Sequence, residues 1–386
     1  MALYEFFPNY IWNLSVAIAL ENGGKIGEIV DMCQPILDAA ANGDDAGTGE
    51  FLIEWVKKAD TLVELAKEDL AAGREYSAGS KLKRASIYYV TAERMQGHGH
   101  PGRMETYKKA LAAFADGTGY VQDNIDRVEI PYGERKKLSG LLTLAEGEGP
   151  RPLVIFCNGL DSCKEMLWLG GFPYALAKRG ISCLCVDQPG TGEALRLEDL
   201  PATYASEEWA SSWVDWAVEQ PFVDQHRIGM TGISLGGHYA PRAVAFEPRF
   251  ASGACWGANH NWAEVQQKRL QREGENPVPH YWNHVRWVFG AKDIDEFFEK
   301  ARGMNLNGVM DRIKVPFLVT HGAHDRQINV DYANQSYDQL VNSPKRELKI
   351  FTEREGGVEH VGADNMSFGT DFIADWFAET LGGHTA

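Results

Sequence analysis

The residues with the clearest chemical signature are a serine and the glycines around it, Gly232-Ile-Ser-Leu-Gly-Gly237. This G-x-S-x-G pattern directly follows a short apolar segment, Ile228–Met230, and precedes a predicted helix. A strand-to-helix turn of this kind needs a strained backbone at the serine and small neighbours, and it lifts the hydroxyl above the end of the strand. The pattern also arises by chance in a glycine-rich chain, so its place after a strand carries the inference. The motif predicts that Ser234 is a nucleophile.

A serine hydroxyl is a weak nucleophile unless a base removes its proton, so an acid and a histidine should follow Ser234 in the chain. Asp325 follows the apolar run 315–320, and His360 ends the glycine-rich segment 356–360 before the last predicted helix. We predict that Asp325 orients His360 and that His360 accepts the serine proton. Three other histidines are weaker candidates for the base because of where they lie in the chain: His238, His324 and His384.

The oxyanion of an acyl-transfer intermediate needs two N–H donors. One should belong to the residue after the nucleophile, Leu235, and the other to a loop after an earlier strand. We predict Leu160 for the second, because it lies in loop 158–162 after the apolar run 152–157. The candidate substrate-binding residues lie in this loop or near an aromatic-rich segment: Asp161, Trp256, His260, Trp262 and Tyr281.

Two predicted domains must position these residues. Residues 1–123 have apolar residues at helical spacing, as in segment 50–72, and predict a helical cap domain. Residues 124–386 alternate apolar strands with helices, which predicts an α/β-hydrolase fold with a mostly parallel sheet flanked by helices. Within it, residues 259–312 lack strand character and are rich in Trp, His and Tyr, so we predict a helical lid over a pocket.

Composition and charge argue against several partners. The 386-residue chain has a formal net charge of −16 and a pI near 5.2, which disfavours nucleic acid or an anionic membrane as the main partner. The sequence contains no run of at least 18 apolar residues, so we predict no membrane-spanning helix. The first basic residue is Lys25, whereas a signal peptide has basic residues near its start. The 6 cysteines lack paired metal spacing and predict reduced thiols in a cytoplasmic protein.

No motif supports a cofactor or a metal. Gly190 and Gly192 do not complete a dinucleotide-binding pattern, because Leu195 occupies the last glycine position. His98 and His100 form an isolated pair without further ligands in view. We therefore predict an enzyme without cofactor or metal that acts on a small molecule.

Several segments together resemble one family of α/β-hydrolases. They lie near the N-terminus and in loops after strands: residues 7–10, 23–24, 158–162, 164–165, 187–193, 232–237, 321–325 and 356–360. The family includes 2,6-dihydroxypseudooxynicotine hydrolase, the fungal yellowish-green pigment hydrolase, bacterial polyketide-trimming lyases and the fermentation–respiration switch protein. The resemblance spans the whole chain, and Ser234, Asp325 and His360 match the family's triad motifs.

The resemblance also implies architecture and activity. It implies that the N-terminal helical domain and the lid cap the pocket, and that the chain forms a homodimer. Several family members cleave a carbon–carbon bond next to a ketone on an aromatic ring. An additional pocket acid of the family has no matching position here, because insertion 259–312 departs from the family pattern.

The leading hypothesis is therefore hydrolysis of a carbon–carbon bond in an aromatic or polyketide-like β-diketone or acyl-phenol. A carbon leaving group must have a delocalised charge, so the substrate should be aromatic or polyketide-like. The aromatic insertion suits such a substrate, and so does an N-terminal aromatic cluster formed by Phe6, Phe7, Tyr10 and Trp12. A carboxylesterase or lactonase with the same triad fits the motifs as well. The complete triad disfavours a non-catalytic binding protein on a hydrolase scaffold. A peptidase is disfavoured because no propeller-like repeats precede the hydrolase region.

Overall fold

The computed structural model describes residues 3, 5–7, 9–41, 48–273 and 279–385. These residues form two compact units. The larger unit contains residues 126–273 and 285–385, and the smaller contains the described part of 3–125 together with 279–284. Among the described residues, no helix is both long enough and apolar enough to cross a membrane.

The smaller unit is helical. Its helices are α1 (Tyr10–Glu21), α2 (Ile26–Ala41), α3 (Thr48–Ala71), α4 (Glu75–Arg94) and α5 (Arg103–Val121). Asn9 caps α1, because its side-chain oxygen accepts hydrogen bonds from the N–H groups of Ile11 and Trp12. Helices α4 and α5 approach closely at two glycines, since a Cβ atom at Gly79 would lie 2.7 Å from the carbonyl oxygen of Gly117.

Aromatic rings form the core of the smaller unit. Phe51 stacks on Trp55 with ring centroids 5.0 Å apart, and Trp12 packs edge-on against Phe51. Phe7 packs edge-on against Trp12, and both rings are buried. Phe7 and Trp12, which the sequence suggested as suited to an aromatic substrate, therefore pack in the core of this unit.

The larger unit contains, within the described residues, an 8-stranded sheet. Its strands are β1 (Asp126–Tyr132), β2 (Lys136–Thr143), β3 (Arg151–Cys157), β4 (Ser182–Asp187), β5 (Val223–Ile233), β6 (Phe250–Trp256), β7 (Phe317–Gly322) and β8 (Arg346–Phe351). The spatial order is β1-β2-β4-β3-β5-β6-β7-β8. The first two neighbouring pairs are antiparallel and all the others are parallel. This sheet confirms the predicted α/β-hydrolase fold.

Helices connect the parallel strands, and several of them pack on the sheet. Those that follow α5 in the chain are α6 (Lys164–Leu169), α7 (Phe172–Ala177), α8 (Gly192–Arg196), α9 (Ser206–Val218), α10 (Gly236–Phe246), α11 (Trp262–Glu273), α12 (Tyr281–Val288), α13 (Ile294–Ala301), α14 (Asp331–Asp338) and α15 (Met366–Leu381). Short 3-10 helices span Met310–Arg312 and His360–Gly362. Residues 259–312 contain α11 to α13 and an isolated bridge between Asn261 and Asn305. Their role as a lid stays a prediction.

Strand β6 is absent from the sequence-based prediction. Its sequence, Phe-Ala-Ser-Gly-Ala-Cys-Trp, has no β-branched residue and therefore a weak strand pattern. The packing explains the small residues, because a Cβ atom at Gly253 would lie 2.6 Å from the Phe317 ring and 3.0 Å from the Val244 side chain. Close approach of β7 and α10, which propensity does not report, requires the glycine.

Candidate active site

Ser234 lies in the turn between β5 and α10, at the carboxyl end of a central strand. Its φ of 58° is in the left-handed region, where an L-residue is strained. The glycines around it permit the turn: a Cβ atom at Gly232 would lie 2.3 Å from the carbonyl oxygen of Gly236, and one at Gly237 would lie 2.1 Å from that of Gly257. The turn has the strand-to-helix geometry of a nucleophile elbow.

The structure brings the three predicted triad side chains together. Ser234 Oγ lies 2.8 Å from His360 Nε2, and His360 Nδ1 lies 2.8 Å from Asp325 Oδ2. Asp325 follows β7 and its side chain is fully buried, whereas His360 follows β8 and is 7% exposed. With the Nδ1 proton donated to the carboxylate, the Nε2 lone pair faces the hydroxyl. The arrangement can transfer a proton from the serine to the imidazole.

The surroundings of Asp325 keep it ionised. Burial alone would raise the pKa of Asp325, but the charge and hydrogen bond of His360, with a contribution from His321, outweigh burial and hold this pKa below its usual value. The N–H groups of Gln327 and Ile328 donate to Asp325 Oδ1 at 2.7 and 2.9 Å. Asp325 can therefore orient His360 and stabilise it when protonated.

Asp364 holds the loop that carries His360, a role that the sequence did not indicate. Its carboxylate accepts hydrogen bonds from the N–H groups of Gly357, Val358 and Glu359 at 2.9, 3.2 and 2.9 Å. The sequence signal for this contact is an acid four residues after His360, in a segment that begins with the pair Gly356-Gly357.

A second buried histidine, His321, lies beside the acid. Its Nε2 is 2.9 Å from the carbonyl oxygen of Ile328 and 3.5 Å from Asp325 Oδ2. Burial lowers the pKa of His321 although Asp325 opposes the shift, so the ring is neutral near pH 7 and donates to Ile328. The sequence motif 321–325 contains this residue, but spacing alone did not assign it a role.

The predicted oxyanion donors belong to two segments that lie next to the serine. Leu235 directly precedes α10, where free N–H groups favour an anion. The other loop runs beside Ser234, since a Cβ atom at Gly159 would lie 3.1 Å from Ser234 Cβ and 3.5 Å from its Oγ. Neither Leu235 N–H nor Leu160 N–H donates a hydrogen bond to any residue that the structure describes. Their role as oxyanion donors stays a prediction.

Two of the candidate substrate residues have packing roles. Trp256 is buried between Phe156 and Phe172, at centroid distances of 6.3 and 5.8 Å. Trp262 stacks on Phe289, with centroids 5.2 Å apart, and so joins α11 to the end of α12. Whether these two tryptophans also contact a substrate stays a prediction.

His260 is also committed within the protein. Its Nδ1 lies 3.0 Å from Ser336 Oγ and its Nε2 lies 3.0 Å from Asn307 Oδ1. Both ring nitrogens therefore have protein partners, and the ring links the start of the insertion to α14 and to the segment after α13. Its role as a substrate contact stays a prediction.

Asp161 and Tyr281 stay candidate substrate residues. Asp161 is half-buried in the loop beside Ser234, next to Leu160. Tyr281 belongs to the smaller unit, where it packs edge-on against Trp282 at 5.1 Å.

The weaker histidine candidates lie elsewhere. His238 is buried with Nδ1 3.1 Å from the carbonyl oxygen of Asn259, and His324 is exposed beside Glu353. The N–H of His384 donates to the carbonyl oxygen of Arg179. Within the described residues, no group of at least 3 His, Cys, Asp or Glu side chains could hold a metal ion, and the 6 cysteines are free and buried.

Fold and site geometry together define an α/β-hydrolase with a serine, a histidine and an aspartate in hydrogen-bonded sequence. The chain belongs to the esterase FrsA-like family, whose model matches residues 44–273. The model of the prolyl oligopeptidase family matches residues 173–384, a range that includes Ser234, Asp325 and His360.

Individual relatives extend over nearly the whole chain. The 2,6-dihydropseudooxynicotine hydrolase of Paenarthrobacter nicotinovorans is 25% identical, with 92% of each protein covered. The α/β-hydrolase psoB of Aspergillus fumigatus is 30% identical, covering 95% of this chain and 91% of the relative. The crystal structure of 2,6-dihydroxy-pseudo-oxynicotine hydrolase shares the fold, with a TM-score of 0.76, 21% identity and 95% of both chains covered. These comparisons confirm the family resemblance found in the sequence motifs and the assignment as a hydrolase.

Proposed function

We propose that this chain is a serine hydrolase that cleaves a carbon–carbon bond next to a ketone through an acyl-enzyme. Ser234 attacks the ketone carbon while His360 takes the hydroxyl proton, and the N–H groups of Leu235 and Leu160 bind the resulting oxyanion. When the carbon–carbon bond breaks, the carbon fragment leaves as an enolate or stabilised carbanion and receives the proton from His360. Water activated by His360 then hydrolyses the acyl-Ser234 ester and releases a carboxylic acid.

One observation carries the nucleophilic part of this proposal. The Ser234 hydroxyl, the His360 ring and the Asp325 carboxylate follow one another at 2.8 Å in each step. Proton transfer by a positioned side chain requires a heavy-atom distance of about 2.6–3.2 Å, and both contacts meet it.

The substrate class follows from the leaving group and from the relatives. A carbanion leaves at a useful rate only if its charge is delocalised, so the substrate should be an aromatic or polyketide-like β-diketone or an acyl-phenol. The similarity to 2,6-dihydropseudooxynicotine hydrolase, with 92% of both chains covered, supports a ketone attached to an aromatic ring. Asp161, half-buried within the loop that carries Leu160, is a proposed substrate contact.

A carboxylesterase or lactonase is the second candidate. The description of the matching family as esterase FrsA-like supports it, and the same three side chains would serve an oxygen leaving group. The two candidates differ only in the bond that breaks after attack.

Parallel assays of an aromatic β-diketone and an aryl ester test both candidates. Under the proposal the purified protein cleaves the β-diketone to a carboxylic acid and a methyl ketone, and Ser234→Ala lowers kcat by at least about 10³-fold. Ser252→Ala is the matched control, because Ser252 is a buried serine that bonds Thr380 at 2.8 Å, near the amino end of β6. Turnover of the aryl ester alone would favour the esterase.

A retained β-diketone activity in Ser234→Ala would contradict the mechanism. Failure of Ser234 to react with a fluorophosphonate probe would favour a non-catalytic binding protein. The predicted homodimer and cytoplasmic location belong to the same proposal, and light scattering of the purified protein would test the dimer.

A further inference from the structure

The loop from Asn158 to Ser162 is fixed by buried hydrogen bonds. Asn158 is fully buried, and its side-chain Nδ2 donates to the carbonyl oxygen of Val186 at 2.8 Å and to Asp187 Oδ1 at 3.1 Å. Both amide hydrogens are thereby used, so the orientation of the amide is determined. Its Oδ1 faces the opposite way and accepts a hydrogen bond from the Ser162 hydroxyl at 2.7 Å.

The main chain of the loop is held as well. Gln188 bonds Asn158 on both sides, because its Oε1 accepts from Asn158 N at 3.0 Å and its Nε2 donates to Asn158 O at 2.9 Å. Ser162 Oγ accepts the N–H of Gly159 at 3.0 Å. The N–H of Gly159 is therefore used inside the loop, and the next one along the chain, that of Leu160, is available to an oxyanion.

Asp187, at the end of β4, is the centre of this network. Its Oδ1 accepts from Asn158 and from the N–H of Lys164 at 2.8 Å, while its Oδ2 accepts from the N–H of Glu193 at 2.9 Å and from Lys164 Nζ at 3.1 Å. A Cβ atom at residue 192 would come within 2.0 Å of this carboxylate, so Gly192 is required beside it. Four donors on a buried carboxylate join the loop to α6 and to the segment after β4.

The positive charge of Lys164 compensates the negative charges of the buried acids around it. Its side chain is fully buried and contacts Glu165 at 2.7 Å in addition to Asp187 and Glu193. Arg127 completes the cluster with a bidentate contact to Glu193 at 2.7 and 2.8 Å. A buried charge cluster of this kind is a costly way to stabilise a fold, and hydrophobic residues could replace it. Rigid placement of the groups that it holds is a benefit that hydrophobic residues would not supply.

We propose that Asp187 and Asn158 are positioning residues that aim the N–H of Leu160 at the oxyanion formed on the substrate. The proposal rests on the proposed function of Ser234. Its physical basis is the contact between this loop and the serine, since a Cβ atom at Gly159 would lie 3.1 Å from Ser234 Cβ. An oxyanion donor must lie within about 2.7–3.1 Å of the developing charge, so a shift of the loop by a fraction of that distance weakens it.

Three variants separate positioning from general stability. Asn158→Ala removes the amide without changing charge, Asn158→Asp places an acceptor against Val186 O and Asp187, and Asp187→Asn removes the central carboxylate. Ser252→Ala, which removes a partly buried hydrogen bond to Thr380, is the control. Each variant is assayed below its melting temperature for kcat and KM on an aryl ester or β-diketone that the native protein turns over. Binding of a trifluoromethyl ketone, which forms a tetrahedral adduct with the serine, is measured alongside.

Loss of oxyanion geometry lowers kcat by about ten- to a hundredfold in the Asn158 variants and weakens trifluoromethyl ketone binding by a similar factor. The KM for substrate should stay within about twofold, because the ground-state carbonyl depends less on this donor. The largest loss is expected for Asn158→Asp, and no loss for Ser252→Ala.

Folded Asn158→Ala protein with native kcat and native inhibitor affinity would overturn the positioning role. If Asp187→Asn does not fold, Asn158→Ala carries the test, since it leaves the charge cluster intact. A native protein without Ser234-dependent turnover would instead refute the proposed function, which separates the two failures.

Discussion

Arg326 and Glu359 form a bidentate ion pair between the residue that follows Asp325 and the residue that precedes His360. Arg326 Nη2 lies 2.9 Å from Glu359 Oε1, and Arg326 Nε lies 3.2 Å from Oε2. The Glu359 side chain is 4% exposed, whereas that of Arg326 is 43% exposed. The pair joins the loop after β7 to the loop after β8, the two loops that bring the acid and the histidine together.

Substitution Glu359→Gln should lower kcat by about three- to tenfold without changing KM, because a neutral amide holds Arg326 less firmly and the imidazole becomes less well oriented. Steady-state kinetics on the substrate found active tests this. Glu353→Gln is a matched control, since Glu353 pairs with His324 nearby and both side chains are exposed. Equal effects of the two substitutions would contradict a specific role for the Arg326–Glu359 pair.

Asp364 also stabilises the loop that carries His360. Substitution Asp364→Asn replaces one of the two accepting oxygens with an NH2 donor, which faces the loop's own N–H groups instead of accepting from them. We expect a loss of about 1–3 kcal/mol in the free energy of unfolding, together with a lower kcat. Urea denaturation and kinetics measure the two effects. Asp224→Asn makes the same change in a carboxylate at the amino end of β5 that accepts a backbone N–H at 3.0 Å, and it should leave kcat unchanged.

The elements that position the nucleophile could be predicted from local sequence. Gly232 and Gly236 flank a serine that follows a buried strand, and the same residues are those whose Cβ atoms would clash in the observed turn. Chain order then placed Asp325 and His360 on the loops after two later strands, and the structure brings both side chains within hydrogen-bond distance. Each inference used a feature that is contained within a few residues.

Features that depend on distant contacts could not be predicted in this way. The amide of Asn158 donates a hydrogen bond to Asp187, which lies 29 residues later in the chain, and only the folded sheet makes them neighbours. Trp256 and Trp262 are aromatic residues near the predicted pocket, but the sequence does not report that their rings pack on other aromatic rings. Strand β6 is not recognisable in the sequence because its small residues are required by close packing against β7 and α10.

A pair of glycine substitutions tests whether the elbow depends on space or on local propensity. Gly232→Ala would place a Cβ atom 2.3 Å from the Gly236 carbonyl oxygen and 2.5 Å from Cys157 Sγ, so we expect it to destabilise the protein by at least about 2 kcal/mol. Gly119→Ala, at an exposed position of helix α5 with nothing within 4 Å of the new atom, should stabilise by about 0.5–1 kcal/mol. Thermal unfolding of the two variants measures both changes. A folded, active Gly232→Ala protein with native stability would show that the turn relaxes to accept a side chain.

Burial of His238 should make the protein lose stability in mild acid. The pKa of His238 is lowered from 6.5 to about 3, chiefly by burial, although its hydrogen bond to Asn259 opposes the shift. Between these two values the unfolded chain binds a proton that the folded protein excludes, so the free energy of unfolding falls as the pH drops below 6.5. The loss amounts to at most about 1.4 kcal/mol per pH unit for each such histidine, and His260 and His321, whose pKa values burial also lowers, act in the same direction.

Urea unfolding at about pH 7 and about pH 5, a window above the usual titration of carboxylates, measures the combined effect of these histidines. His238→Asn keeps a donor for the carbonyl oxygen of Asn259 but cannot be protonated. Its loss of stability across the window should be smaller than that of the native protein by about 2 kcal/mol. His226→Asn, at an exposed position on β5, should leave the native dependence unchanged. If native protein and His238→Asn lose the same stability on acidification, the unfolded and folded states bind equal numbers of protons at His238, and burial does not control its ionisation.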